Sequence, residues 1–268
     1  MSTPRAALAL CALLIAFYFH ASGGLLFIPD STVNSLALDS PDSPLNFFSH
    51  LFVHVGVVHL VGNVIPLLVF AIIFELAATS LDVLVVFLFS GVLSSIVFSL
   101  LNPGVALVGA SAGVSGLIGA AVSARPRLAL PFLILIPLAF NFLVMPSLAQ
   151  LALGQQVSLY EKENQLSKQF TQLVSENNSA EAAVVSEQLS EVSAQKQVVE
   201  KGIQREASTP IDLLVHLLGV VVGVGYVFVF KRSLFVQGAS GFRESLLLLI
   251  RAGSGGKRKP NNQKKGKK

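Results

Sequence analysis

Long apolar runs separated by short polar punctuation make up most of this chain, and the runs exceed what an ordinary core helix needs. They cover 6–22, 55–78, 83–101, 105–124, 128–153 and 211–230. Each holds roughly the 17 to 25 residues that cross a bilayer hydrocarbon core of about 30 Å. The pattern predicts six spanning helices. The fifth run carries Pro131, Pro137 and Pro146 and is expected to be kinked. Between the fifth and sixth runs the pattern changes, and 155–208 is rich in Gln, Glu, Ser and Lys. There Leu159, Leu166 and Leu173 recur at seven, and Val185, Leu189, Val192, Val199 and Ile203 keep a four-three alternation with Lys196 in the missing seat. This periodicity predicts two amphipathic helices broken at Asn177-Asn178-Ser179 and folded as an antiparallel hairpin outside the membrane. A disordered segment is the alternative reading of the same composition. Thr209-Pro210 reads as the cap and first turn of the sixth span. The stretch 242–251 is apolar but short and holds Arg243 and Glu244, which predicts an interfacial helix rather than a seventh crossing.

Composition supports the membrane reading: 53% of the 268 residues are hydrophobic and only 13% charged, far from soluble averages. Charge adds the orientation. Arg5, Arg125, Arg127, Lys231, Arg232 and the Lys-rich stretch 257–268 all fall on one side of a six-span arrangement. The positive-inside rule makes that side cytoplasmic, with both termini there, in the cell (inner) membrane. The connection 23–54, which has Asp30, Asp39 and Asp42 but no Lys or Arg, is expected outside and partly in the interface. The first 24 residues also have the make-up of a signal peptide, but cleavage would leave five spans and break the agreement between span count and charge. The net charge of +4 arises from the tail, which reads as attraction to anionic lipid and not as a nucleic-acid-binding face. The lone Cys11 excludes an internal disulfide.

Strongly polar side chains at membrane depth are rare, because they cost free energy unless they face the protein interior. Here they are His59, Asn63, Ser111, Ser115 and His216. All fall near the outer ends of the second, fourth and sixth spans, so one site at one depth is expected. His59 and Asn63, four apart, share a helix face. In the fourth span, with its helix beginning near Gly109, Ala112, Gly116 and Ala120 form a smooth ridge, and in the sixth His216, Gly219 and Gly223 share a face that can receive it. A serine hydroxyl becomes a nucleophile when a base takes its proton, and histidine has a suitable pKa. The oxyanion formed at an attacked carbonyl needs donors, which His59, Asn63 and helix-start amides can supply. Hydrolysis is the implied reaction.

Three motifs carry a resemblance. They are Gly109-Ala110-Ser111 with Leu117 and Gly119, His54 with His59-Leu60-Val61-Gly62-Asn63, and Asp212-Leu213-Leu214-Val215-His216-Leu217-Leu218-Gly219. Together, and in this order, they resemble the rhomboid family of intramembrane serine proteases. The resemblance implies an all-α membrane protein with a six-helix bundle, Ser111 as nucleophile, His216 as base, and His59 and Asn63 as oxyanion donors. It implies membrane-protein substrates cut at or near their spanning helices, and neither a metal nor an organic cofactor. Gly113-Val114-Ser115-Gly116 fits the bare serine pattern better, but only Ser111 has Leu117 and Gly119 at the family's spacing. The family usually has Gly where Ala112 stands and an aromatic residue where Ser115 stands. These departures sustain a second reading, a rhomboid-like protein that binds and escorts membrane helices without cutting them. The expected organisation is 1–153 for spans one to five, 154–209 for the extracytoplasmic insertion, 210–232 for the sixth span, and 233–268 for the cytoplasmic interfacial helix and basic tail.

Overall fold

The computed structural model describes residues 4–39, 43–208 and 213–254, so Thr209-Pro210 and the Lys-rich tail lie outside the described residues. Its elements are helical: α1 (Arg5–Ser22), α2 (Asp30–Leu36), α3 (Asn46–Ser49), a 3-10 turn (His50–Phe52), α4 (Val57–Glu75), α5 (Ser80–Leu101), α6 (Ser111–Ala124), α7 (Pro126–Ala139), a π turn (Phe140–Val144), α8 (Met145–Ser175), α9 (Ser179–Ser208), α10 (Leu213–Phe230) and α11 (Arg232–Ser254). Among the described residues five helical stretches are long and apolar enough to cross a membrane, in α1, α4, α5, α7 running on into α8, and α10. Large apolar side chains stand outward on them, among them Leu8, Phe89, Ile134 and Val221. Apolar groups facing outward around a packed interior characterise an integral membrane protein.

The fourth run behaves differently from its expectation. Helix α6 begins at Ser111, two residues past Gly109 as expected, but has only 14 residues, about 21 Å at 1.5 Å per residue and short of a full span. The cause lies in the amides before it. Leu107 N–H donates to Leu38 O at 2.9 Å while Leu107 O accepts from Leu38 N–H at 3.0 Å, and Gly109 N–H donates to His50 O at 2.8 Å. Ala110 N–H donates to His54 Nε2 at 3.4 Å. Gly109 itself has φ +110°, a left-handed conformation that side-chain-bearing residues avoid. The left-handed Gly109 and the Leu107 carbonyl committed to Leu38 keep 105–109 out of the helix, and Ala110 is its αR N-cap. The short α6 is buried along most of its length and packs against α4, α5 and α10.

Helices α4, α6 and α10 run in the same direction. At the end away from Ser111, Arg125 donates to Leu76 O at 2.8 Å beside the last turn of α4. There too Tyr226 O–H donates to Asp82 Oδ1 at 2.6 Å, and Lys231 pairs with Asp82 at 2.9 Å. Glu75 accepts from the Ala6 and Ala7 amides at 3.1 and 3.2 Å, which places a carboxylate at the positive N-terminus of α1. Arg5, Arg125 and Lys231 therefore gather at one end of the bundle, and Ser111 lies at the other.

The fifth run continues as helix from Pro126 to Ser175. No helix end falls at residue 153. A π turn over Phe140–Val144 interrupts it between Pro137 and Pro146; neither proline has an N–H to give the helix ladder, and Asn141 Nδ2 donates to the Pro137 carbonyl at 2.9 Å. Past Asn177, whose φ of 55° reverses the chain, α9 packs antiparallel on α8 through Leu159, Leu166, Leu173, Ala182, Val185, Val192 and Val199. Lys196, the polar residue in the apolar series, pairs with Glu163 at 2.5 Å over the Tyr160 ring.

In the connection 23–54, Phe27, Ile28, Leu38, Leu51 and Val53 are buried inside the protein. One further expectation changes. Helix α11 starts at Arg232, ten residues before the expected interfacial segment, and folds back against α6 and α7, with Arg127 paired to Glu244 at 3.0 Å.

Candidate active site

Four histidines and a serine converge where α4, α6 and α10 begin. Ser111 is the first residue of α6 and half-buried, with Ala110 as an N-cap that offers no side-chain bond. Amides in the first turn of a helix lack intrahelical partners and carry the positive end of the helix dipole, so the Ser111 hydroxyl sits beside donors suited to an anion.

Small residues bring α10 to this point. A Cβ on Gly219 would strike Ala112 O and lie 3.0 Å from Ser115 Cβ, and one on Gly223 would strike the Gly116 backbone. The two helices are thus in parallel register, 219 beside 112 and 223 beside 116, at backbone contact. His216 is three residues before Gly219, on the same face and about 4.5 Å nearer the helix starts. That register sets it level with the beginning of α6, where Ser111 is, whereas Ser115 is one turn deeper beside Gly219 and buried. Ala112 is also buried, and its methyl packs with Phe98 and Val215 rather than holding the helices apart.

On the other side stands α4. His59 lies against Gly109: a Cβ there would sit 2.6 Å from His59 Nε2, so only glycine permits this approach two residues before Ser111. The His59 ring also meets the His54 ring edge-on, with centroids 5.0 Å apart, and interacts electrostatically with His216. Its Nδ1 is buried without a hydrogen-bond partner. Asn63 is buried, and its amide donates to His59 O at 2.9 Å, which leaves a second N–H for another acceptor. His59, Ser111, Asn63 and His216 thus belong to one cluster.

His50 went unnoticed in the sequence, and His54 entered only as part of the second motif. His50 Nδ1–H donates to Asn46 O at 2.6 Å, which fixes the tautomer and leaves Nε2 bare, 2.8 Å from Ser95 Oγ. The Ser95 Oγ also lies 2.7 Å from Gly91 O, and its single proton is shared between these two acceptors. A serine of α5 therefore holds a histidine. The sequence signal was only the general one, that a buried histidine needs a polar partner. His50 and His54 position the serine loop, one through its carbonyl and the other through its ring. Burial lowers the His50 imidazole to about 4, and burial with the neighbouring His59 ring lowers His54 to about 3. Both are neutral when folded, so the stability they contribute is present above about 6.5, the ordinary histidine value, and is lost as pH falls through 4 and 3. Thermal unfolding in detergent between pH 7.5 and 4 should show that fall, and His50→Gln should make it shallower.

The description Rhomboid domain belongs to the family model that matches residues 41–160. Rhomboid-related protein 2 of Mus musculus is 40% identical over 73 residues, which are 27% of this chain and 24% of the mouse protein. The matched stretch thus spans about a quarter of that relative. No solved structure matches. The matched segment contains His50, His54, His59, Asn63 and Ser111, while His216 lies beyond it and joins them through the packing of α10 on α6. Over residues 41–160, then, the chain is similar to a Rhomboid domain, and that stretch holds all of the polar cluster except His216.

Proposed function

We propose that the chain is an intramembrane serine endopeptidase that hydrolyses peptide bonds in or next to the spanning segments of other membrane proteins. Above all, the reading is supported by the backbone contact between α6 and α10, which sets His216 level with Ser111. In this mechanism His216 takes the Ser111 proton as Oγ attacks the scissile carbonyl. The developing oxyanion is met by His59, by Asn63 and by the first-turn amides of α6. His216 then gives the proton to the leaving amine, and water releases the acyl group by the same route reversed. Every group required is a protein side chain or amide. By the positive-inside rule the site faces away from the cytoplasm and both termini face it.

The test uses purified protein, a synthetic membrane-helix substrate and a serine-directed fluorophosphonate probe. Wild type should cleave and become labelled, and Ser111→Ala and His216→Ala should do neither. Persistent cleavage by Ser111→Ala would remove the assigned nucleophile. The second reading, a non-cleaving protein that binds membrane helices, rests on Ala112 and Ser115; it gains if wild type cleaves none of a wide substrate panel yet retains helices on a column.

Residues 154–209 are proposed to influence which substrates reach the site, because they join the span bearing Pro137 to the helix bearing His216. Replacing them with a short linker should alter relative cleavage across a substrate panel by about tenfold or more. An unchanged ranking would remove that role.

A further inference from the structure

The start of α4 lacks a cap of its own. Its N-cap is Gly56, in extended conformation and without a side chain to offer. The amides ahead of the first intrahelical bond then need partners. Val57 N–H donates to Leu26 O at 3.0 Å, and Leu60 N–H makes that first intrahelical bond, to Gly56 O at 3.0 Å. The two between them, Val58 and His59, donate to one carboxylate, Glu206, with the His59 bond at 2.8 Å. Glu206 belongs to the last turn of α9, 147 residues away along the chain.

The rest of α9 is held in place for this contact. Arg205 and Lys201 both pair with Asp30 at the start of α2. Gly202 and Gly56 both lie against Phe27, so a larger residue at either position would collide with it. Gln155 Oε1, about a third of the way along α8, accepts from Leu26 N–H at 3.0 Å. The hairpin base and the first connection thus grip each other around the beginning of α4. Glu206 itself is mostly withdrawn from solvent, and burial pushes its carboxyl up despite the two amides. A carboxylate kept there against its own desolvation has a task beyond surface solvation.

Resting on the protease reading above, we infer that Glu206 is a positioning residue: by bonding the Val58 and His59 amides it fixes the first turn of α4 and so aims the His59 ring at the Gly109–Ser111 loop. The hairpin is then a structural part of the oxyanion site rather than an appendage. A serine, threonine or aspartate N-cap in α4 would have done the capping locally. Taking the cap from α9 makes the geometry of His59 depend on the hairpin being docked.

The experiment compares full-length wild type, Glu206→Gln and Glu206→Ala in detergent micelles by amide hydrogen exchange, by the rate of fluorophosphonate labelling and by kcat and KM for a synthetic membrane-helix substrate. Glu206→Ala should speed exchange at Val58 and His59 by about tenfold, as loss of a helix cap does. Exchange in the middle of α5 and α10 should be unchanged, which reports an intact fold. The same variant should lower kcat and the labelling rate by about tenfold or more at similar KM, as expected for a displaced oxyanion donor. Glu206→Gln, which keeps an acceptor oxygen, should restore the protection and most of kcat. Unchanged exchange at Val58 and His59 in Glu206→Ala overturns the capping. Faster exchange with unchanged kcat and labelling overturns the positioning role. If wild type neither cleaves nor labels, the protease reading and the positioning role fall together, while the exchange data still decide whether Glu206 caps α4.

Discussion

Ser111→Ala is expected to reduce cleavage of a membrane-helix substrate by about 10⁴-fold or more, the scale on which removing a serine nucleophile acts in other serine proteases. Ser115→Ala should remain within about tenfold of wild type. The contrast follows from depth and not from chemistry, since both residues carry the same hydroxyl. Ser111 opens α6 beside unbonded helix-start amides and next to the loop that His59 touches. Ser115 is one turn further in, buried, with its Cβ toward Gly219. A carbonyl attacked there would have no first-turn amides to receive its charge. Initial rates for both variants, with circular dichroism to show equal helix content, decide the matter; comparable losses in the two would sink the assignment.

Gly223→Ala is expected to lower activity by about 100-fold although it touches no reacting group. The new methyl would collide with the carbonyl and Cα of Gly116, and backbone atoms cannot step aside as a side chain can. Helices α6 and α10 must separate, and displacing one catalytic partner by about 1 Å costs on the order of 100-fold in rate. Overpacking of this kind also costs about 1 to 3 kcal/mol in stability. Gly225→Ala is the control, because nothing lies within 4 Å of the position its Cβ would take. Equal activity in the two variants would mean that the α6–α10 contact does not set the site.

Much of this arrangement was legible from the chain because local pattern and bilayer thickness act together. The apolar runs, the polar residues at the starts of three of them, and the small-residue faces of α6 and α10 follow from spacing alone. The length of the fourth helix was overestimated because an apolar run states only that a segment avoids water. Whether it is helical depends on its backbone geometry and partners, and here Leu107 pairs with Leu38, Gly109 has a left-handed φ, and the amides of Gly109 and Ala110 meet His50 and His54. The same gap hid Glu206. A glutamate in a Gln- and Glu-rich segment looks like every other solvated charge there, and only the folded chain sets it against the α4 amides. His50 was overlooked for a third reason: its partner Ser95 lies 45 residues on, in a helix whose serines equally suit close packing.

The helix from Pro126 to Ser175 has 50 residues, interrupted only by the π turn at Phe140–Val144. Its far part is a rod that emerges from a span and ends at the reversal near Asn177. From the π turn to that tip is about 50 Å at 1.5 Å per residue, so a bend of about 5° there swings the tip by about 4 to 5 Å. Since α9 is zipped along the same rod and returns to the start of α4, Glu206 sits near the rod's base, about 15 Å from the π turn. There the same bend moves it by only about 1 Å, so its hydrogen bonds stand where the rod moves least.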